Sequence, residues 1–321
     1  MPPSVRSLLL TSLGVGVLAG GFMATQSRVN GELSARIHDA PLTSLISFGS
    51  GTVILLLITL VSKRTRTGFS LVVRAIRERK LAWFYTLAGV SGSMFVFAQA
   101  LVVGITGVAM FTIAFVCGLI LGSYGLDVWG IGPAGRQPVT LWRTVGSVLA
   151  IIAVFVTMIG RFGEPSGLSL IVLPLLFGAM VAWQQVANGV IAVAAKTPLT
   201  STTINFLVGT GLLAIMAGIY SLIDGLPQTL PTDPWVYLGG LCGVFFVPMT
   251  AWVVRYIGAL LTSLATTVGQ LITAVMFDLV MPQTQVDLLT TALGTLAMVA
   301  AMAVVVVARL RRSGEGLVRR S

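Results

Sequence analysis

Apolar residues along this chain do not alternate, and they do not mark out one stripe of a soluble helix. They run for about 20 positions at a time, the length that crosses a bilayer, and stop at Gly, Pro or short charged stretches. Lipid offers no partner to a bare backbone, so such runs read as membrane-spanning helices, whose backbone bonds are internal. The pattern predicts ten spans, at 8–30, 42–61, 82–101, 107–127, 142–160, 168–190, 199–222, 235–254, 258–280 and 288–309. The first follows a lone Arg6 and imitates a signal peptide, but the spans after it favour a retained helix. The expected fold class is therefore an all-α polytopic membrane protein.

Composition agrees. The chain is 56% hydrophobic and 9% charged, with a mean hydropathy of +0.97, whereas a soluble domain carries about 25% charged residues. Its net charge of +10 would suit nucleic acid, but the basic residues are placed as topology signals. With both termini in the cytoplasm, only Arg28, Arg36 and Arg161 of the 20 Lys and Arg fall outside. The densest block, "KRTRTGFSLVVRAIRERK" at 63–80, spaces Phe69, Val72, Val73 and Ile76 as one helical face. That spacing predicts a short helix lying on the inner membrane surface.

A repeat divides the chain. Shifted by 158 positions, Gln26 meets Gln184, Asn30 meets Asn188, Gly31 meets Gly189, Phe48 meets Phe206, Gly51 meets Gly209 and Thr52 meets Thr210. Shifted by 151, Gly89 meets Gly240, Gly92 meets Gly243, Gly107 meets Gly258, Gly118 meets Gly269 and Asp127 meets Asp278. "PLTS" occurs in both halves, at 41–44 and 198–201. Residues 1–162 thus hold one five-helix repeat, and 163–321 hold the other with a basic cytoplasmic tail. Five is odd, so the second repeat runs through the membrane opposite to the first. Inverted repeats are an architecture of secondary transporters, with the substrate near the repeat interface and one half rocking on the other.

The polar residues within these spans are the candidate chemistry. Gln26 and Asn30 are four apart, as are Gln184 and Asn188, so each pair shares a helix face. A buried amide must find a partner, either across a helix interface or in a wet cavity, and the residue types allow both. Asn205, Gln270 and Gln99 are further amides in apolar surroundings, and Trp183 offers an aromatic wall. Gly51 and Gly209, in "FGSGT" and "FLVGT", read as close helix contacts. Carboxylates within or at the ends of spans are limited to Glu32, Asp127 and Asp278, each of which could couple an ion or anchor a helix end. Cys117 and Cys242 are packing residues without metal or redox spacing.

At "QSRVNGELSARIHDAPLTSLISFGSGT" and "GQLITAVMFD" the chain resembles the YdcZ-like branch of the drug/metabolite transporter superfamily, in its fused ten-span form. The resemblance implies an inner (plasma) membrane transporter in which helices one to four of each half surround a central path. It points to Gln26, Asn30, Gln184, Asn188, Gln270, Asp127 and Asp278. Two departures stand out: no Gln follows Gly118, and "LVMP" follows Asp278 where a glycine is usual. Small multidrug exporters of the superfamily use a glutamate in the middle of helix one. Glu32 lies late in that helix and its repeat counterpart is Val190, so their mechanism does not carry over.

The expected function is secondary transport of a small metabolite or drug-like molecule, the alternative being a structural or lipid-handling membrane protein. One histidine and no carboxylate cluster argue against an embedded enzyme, and no G-x-x-x-x-G-K-[ST] supports an ATP-driven pump. No cofactor, metal or nucleic acid is expected. The partners are the bilayer and a small solute, and a homodimer is an assembly the resemblance allows.

Overall fold

A computed structural model describes the backbone of residues 3–157, 172–225, 227, 229–280 and 288–318. Side chains are described for these residues except 3–5, 99–111, 113, 155–157, 278, 288–291 and 311–318. In chain order the helices are α1 (Pro3–Ile37), α2 (Ala40–Val61), α3 (Lys63–Arg77), α4 (Ala88–Trp129) and α5 (Leu141–Thr157). Then follow α6 (Val172–Ala194), α7 (Pro198–Asp224), α8 (Gly239–Val280) and α9 (Leu288–Val318), and short 3-10 turns at Trp83–Leu87 and Pro234–Tyr237 lead into α4 and α8. There is no strand among the described residues. The helix expected within 63–80 is α3.

Both "PLTS" copies start a helix by the same local chemistry. His38 and Lys196 take left-handed backbone angles, φ 52° and 57°, and turn the chain sharply. Asp39 then accepts the Leu42 N–H at 2.8 Å, and Thr197 accepts the Leu199 N–H at 3.3 Å. A proline follows in each first turn, where its missing N–H costs nothing.

The expectation of separate spans at 82–101 and 107–127, and at 235–254 and 258–280, meets two long helical stretches, α4 and α8. Each folds back. Gly239 and Thr273 of α8 would lie roughly 50 Å apart on a straight helix. Their neighbours on α1, Asn30 and Gly21, are only about 14 Å apart along that helix. The reversal falls at Gly258, whose φ of 82° and ψ of 172° are not helical. In α4 the rings of Phe95 and Phe115 pack with centroids 4.5 Å apart, where a straight helix would separate them by about 30 Å. Gly and small residues let the arms and their neighbours approach.

Packing joins helices across the midpoint of the chain. α1 lies along both arms of α8, and α6 along both arms of α4. Gly20 abuts the Thr266 carbonyl and Gly269 that of Val17, while Gly178 abuts the Phe115 carbonyl and Gly118 that of Leu175. By the repeat these form two pairs of equivalent contacts, and no Cβ fits at any of the four. α2 packs beside the first arm of α8, where Gly240 meets the Ser47 carbonyl, and α7 beside the first arm of α4, where Gly89 meets the Asn205 carbonyl. α5 and α9 pair with each other, with Gly146 against Val305. The packed units are thus α1–α2–α8 and α4–α6–α7, each mixing residues of 1–162 with residues of 163–321.

The two units meet at α2 and α7, and again where α4 and α6 pack on α8. Between α2 and α7, Phe48 and Phe206 pack with ring centroids 5.0 Å apart, and the Thr52 and Thr210 hydroxyls are 2.6 Å apart. Both pairs join residues 158 apart, so equivalent positions of the repeat touch each other. Large apolar side chains face outward along these helices, including Leu57, Leu60 and Val61 of α2 and Ile215, Ile219 and Leu222 of α7. Among the described residues, six helices are long and apolar enough to cross a membrane, and exposed Trp83, Trp129, Trp142 and Trp235 sit near helix ends, where interfacial tryptophans belong.

Candidate functional site

The paired amides are buried within the two packed units. Gln184 Nε2 and Asn188 Nδ2 both donate to Asn205 Oδ1 at 3.1 Å, tying α6 to α7. The Gln184 carboxamide occupies the space left by the missing side chain of Gly92 on α4. The second amide pair has the same surroundings: Gln26 lies against Gly243, and Asn30 lies against Gly239 beside Ser47, the repeat counterpart of Asn205. All six polar residues are at most 9% exposed. Each cluster retains unspent polar atoms: Asn30 Nδ2 and Ser47 Oγ in one, Asn188 Oδ1 and Asn205 Nδ2 in the other.

Because Asn205 accepts from two donors, its removal should cost more than the loss of either donor. Asn205→Leu leaves both Gln184 and Asn188 without an acceptor, and unmet buried donors cost about 1–3 kcal/mol each. Thermal melting of Gln184→Leu, Asn205→Leu and the double variant should show coupling on the order of 1 kcal/mol. Strictly additive losses would mean that the Gln184–Asn205 bond contributes nothing.

A second cluster gathers around Gly258. Asp127, 3% exposed, accepts the Ala259 N–H at 2.7 Å and the Leu260 N–H at 3.1 Å, and pairs with Arg143 at 2.6 Å. Its carboxylate therefore caps the second arm of α8, where the open N–H groups and the helix dipole favour negative charge. Arg309 of α9 donates to the carbonyls of Tyr256 at 3.1 Å and Ile257 at 2.8 Å, so it caps the first arm. The Gly258 turn is held from both ends by side chains of the charge that each helix end attracts. Only glycine suits the turn, because φ is positive and a Cβ would come within 3.0 Å of Asp127 Oδ1.

Near this cluster the two packed units touch through polar groups. The hydroxyls of Ser123 and Ser263 are 2.6 Å apart, Ser263 donates to Gln185 Oε1 at 3.4 Å, and Gln185 Nε2 has no partner. Gly189 packs against Val254 in the same region. Sequence reasoning passed over Gln185, Ser123, Ser263, Arg143 and Arg309 as site residues. The signal was present for the two arginines, each a cation within or beside an apolar span.

The remaining candidates are scattered. Gln270 Nε2 donates to Met23 Sδ at 2.9 Å, and Trp183 is half-buried against the main core. Glu32 pairs with Arg36 at 2.8 Å, and Arg36 also reaches Asp233 at 2.5 Å. These side chains are 34–53% exposed, so the link contributes little to stability. The side chains of Gln99 and Asp278 lie outside the described residues. Cys117 and Cys242 are buried free thiols, and no metal-binding cluster occurs among the described residues.

The fold and its buried polar clusters define a multi-pass helical membrane protein built on a repeat. Its two halves, residues 11–156 and 169–304, each match the family described as "Putative inner membrane exporter, YdcZ". The chain belongs to this family, a branch of the drug/metabolite transporters, and is an inner-membrane transporter. A solved protein crystal structure shares its fold at 16% identity, with a TM-score of 0.63 over 95% of this chain and 98% of the other. No curated protein matches the chain.

Proposed function

We propose that the chain is a secondary transporter that moves a small molecule by alternating access, with ten membrane-crossing helices in two repeats of inverted topology and both termini cytoplasmic. The observation that carries this reading is the contact of equivalent residues, Thr52 with Thr210 and Phe48 with Phe206, as at a two-fold axis. The count of ten follows if the folded-back α8 spans twice and the three shorter apolar helices, Trp83–Ala98, Ala114–Trp129 and Leu141–Val154, span once each. Rocking then takes place between the mixed units α1–α2–α8 and α4–α6–α7, in place of the two sequence halves.

In this reading the Asp127 end is the cytoplasmic end and is closed. Asp127 belongs to one moving unit and the amides of Ala259 and Leu260 to the other, so opening that side must draw the carboxylate off its cap. The polar seam of Ser123, Gln185 and Ser263 parts in the same movement. Gln184, Asn188 and Asn205 tie α6 to α7 within one unit, and Gln26 and Asn30 lie between α1 and α8 within the other. Their unspent donors and acceptors are the groups a polar solute meets when the units separate.

Topology has a direct test. Single cysteines in segment 63–80 and in loop 224–234, placed in a background lacking Cys117 and Cys242, should react with an impermeant thiol reagent from opposite sides of the membrane. Segment 63–80 should react only from the cytoplasm. Labelling of both from one side rules out the inverted repeat. A melting-temperature screen of metabolites on purified protein, followed by flux of each hit in proteoliposomes, tests transport itself. Ligand-independent melting with no flux supports a structural or lipid-handling role.

A further inference from the structure

The membrane-surface helix α3 and the end of α2 form a feature that transport does not use. Leu57, Ile58, Val61 and Ser62 line an open apolar groove at the C-terminus of α2. Ser62 caps α3, accepting the Thr65 N–H at 3.2 Å, so the groove runs directly into the basic helix. α3 is anchored on its other side. Thr65, Gly68 and Val72 are buried, Thr200 donates to the Thr65 carbonyl at 2.9 Å, and Arg64 donates to the Lys196 carbonyl at 2.9 Å.

That anchoring fixes which cations face outward. Lys63, Arg66, Arg74 and Arg77 project from the exposed side of α3, and Arg66 reaches back to the Leu60 carbonyl in the last turn of α2. Segment 63–80 has one acid, Glu78, and it is already engaged by Lys80 at 2.7 Å and Arg74 at 2.6 Å. Those two cations, Lys80 foremost, hold its carboxyl below the usual range. No ion pair among the described residues involves Lys63, Arg66 or Arg77, so positive charge is unbalanced beside an apolar channel. Val73, Trp83 and Phe84 continue the exposed apolar edge past the helix, as in a segment seated among headgroups.

We propose that this corner binds an anionic phospholipid of the adjoining leaflet, its phosphate held by Lys63 and Arg66 and an acyl chain lying along Leu57, Ile58 and Val61. A zwitterionic lipid fits the groove equally well but brings a cation toward the basic cluster. Free phosphate satisfies the cations without filling the groove. The site should therefore prefer an anionic lipid over both.

The test uses the full chain purified in detergent, with binding measured by native mass spectrometry and by melting temperature. Phosphatidylglycerol, phosphatidylcholine of the same acyl chains and glycerol phosphate are the three probes. Phosphatidylglycerol should bind and raise the melting temperature, while the other two should do neither. Lys63→Ala with Arg66→Ala should weaken phosphatidylglycerol binding roughly 30-fold, the size expected for two cations at a charged surface. Arg66→Lys alone should retain most of the binding, and its retention shows that α3 is still folded. Equal effects of phosphatidylcholine, equal effects of glycerol phosphate, or full phosphatidylglycerol affinity in the double variant would each overturn the proposal.

Discussion

Leucine in place of Gly20, Gly118, Gly178 or Gly269 is expected to leave no folded protein in the membrane. At each position a Cβ would overlap a backbone carbonyl of the facing helix, so no rotamer change relieves the clash. The helices have to move apart, which unpacks α1 from α8, or α6 from α4, along the whole length of the pair. Overpacking of a core typically costs 1–3 kcal/mol, and a clash against backbone should exceed roughly 3 kcal/mol. Size-exclusion yield and melting temperature check this directly. Gly14→Ala and Gly218→Ala are the controls: a Cβ there meets nothing within 4 Å among the described residues, and neither should lower stability. Equal tolerance at all six glycines contradicts the packing described.

Substituting Asp127 should have an effect of similar size through a different cause. Asp127→Ala removes the cap from Ala259 and Leu260 and leaves the Arg143 guanidinium, only 13% exposed, without its carboxylate. Breaking a buried pair from one side costs about 3–5 kcal/mol. Asp127→Asn keeps the shape and one acceptor, so it should lose less. Adding Arg143→Gln to Asp127→Asn should recover part of the loss, because no charge is then stranded. If the cap also closes the cytoplasmic side, a cysteine at Val254 should be unreactive in the parent and reactive from the cytoplasm in Asp127→Asn. A stable Asp127→Ala with an unreactive Val254 position would show that the cap neither stabilises nor closes anything.

Hydropathy and the repeat made the span pattern legible, and the identical amides at Gln26 and Gln184 made the clusters legible as pairs. The partners were hidden. Hydropathy locates a helix but carries no record of which helix it packs against, so the crossing of α1 to α8 and of α6 to α4 left no mark in the span pattern. Glycines were visible at the offset of 151, yet only packing shows that Gly92 makes room for Gln184 and Gly243 for Gln26. Asp127 read as one end of a span because its partners, Arg143, Ala259 and Leu260, come from two other spans. The Ser123–Gln185–Ser263 contact was harder still to see. The repeat sets Ser123 against Ala274 and Gln185 against Ser27, so no identical pair draws attention to it.

If solute crosses as the two mixed units rock, a reversible cross-link between them must stop it. Gly189 and Val254 face each other across the units at the closed end. Gly189→Cys with Val254→Cys, in a chain lacking Cys117 and Cys242, should form a disulfide that joins α6 to α8. Proteoliposomes carrying this variant are loaded with a metabolite mixture, and each solute is followed by mass spectrometry before oxidation, after oxidation and after reduction. At least one solute should cross in the reduced protein, oxidation should stop its flux, and reduction should restore it. Flux that continues undiminished through a fully formed cross-link would rule out rocking between these units as the transport motion.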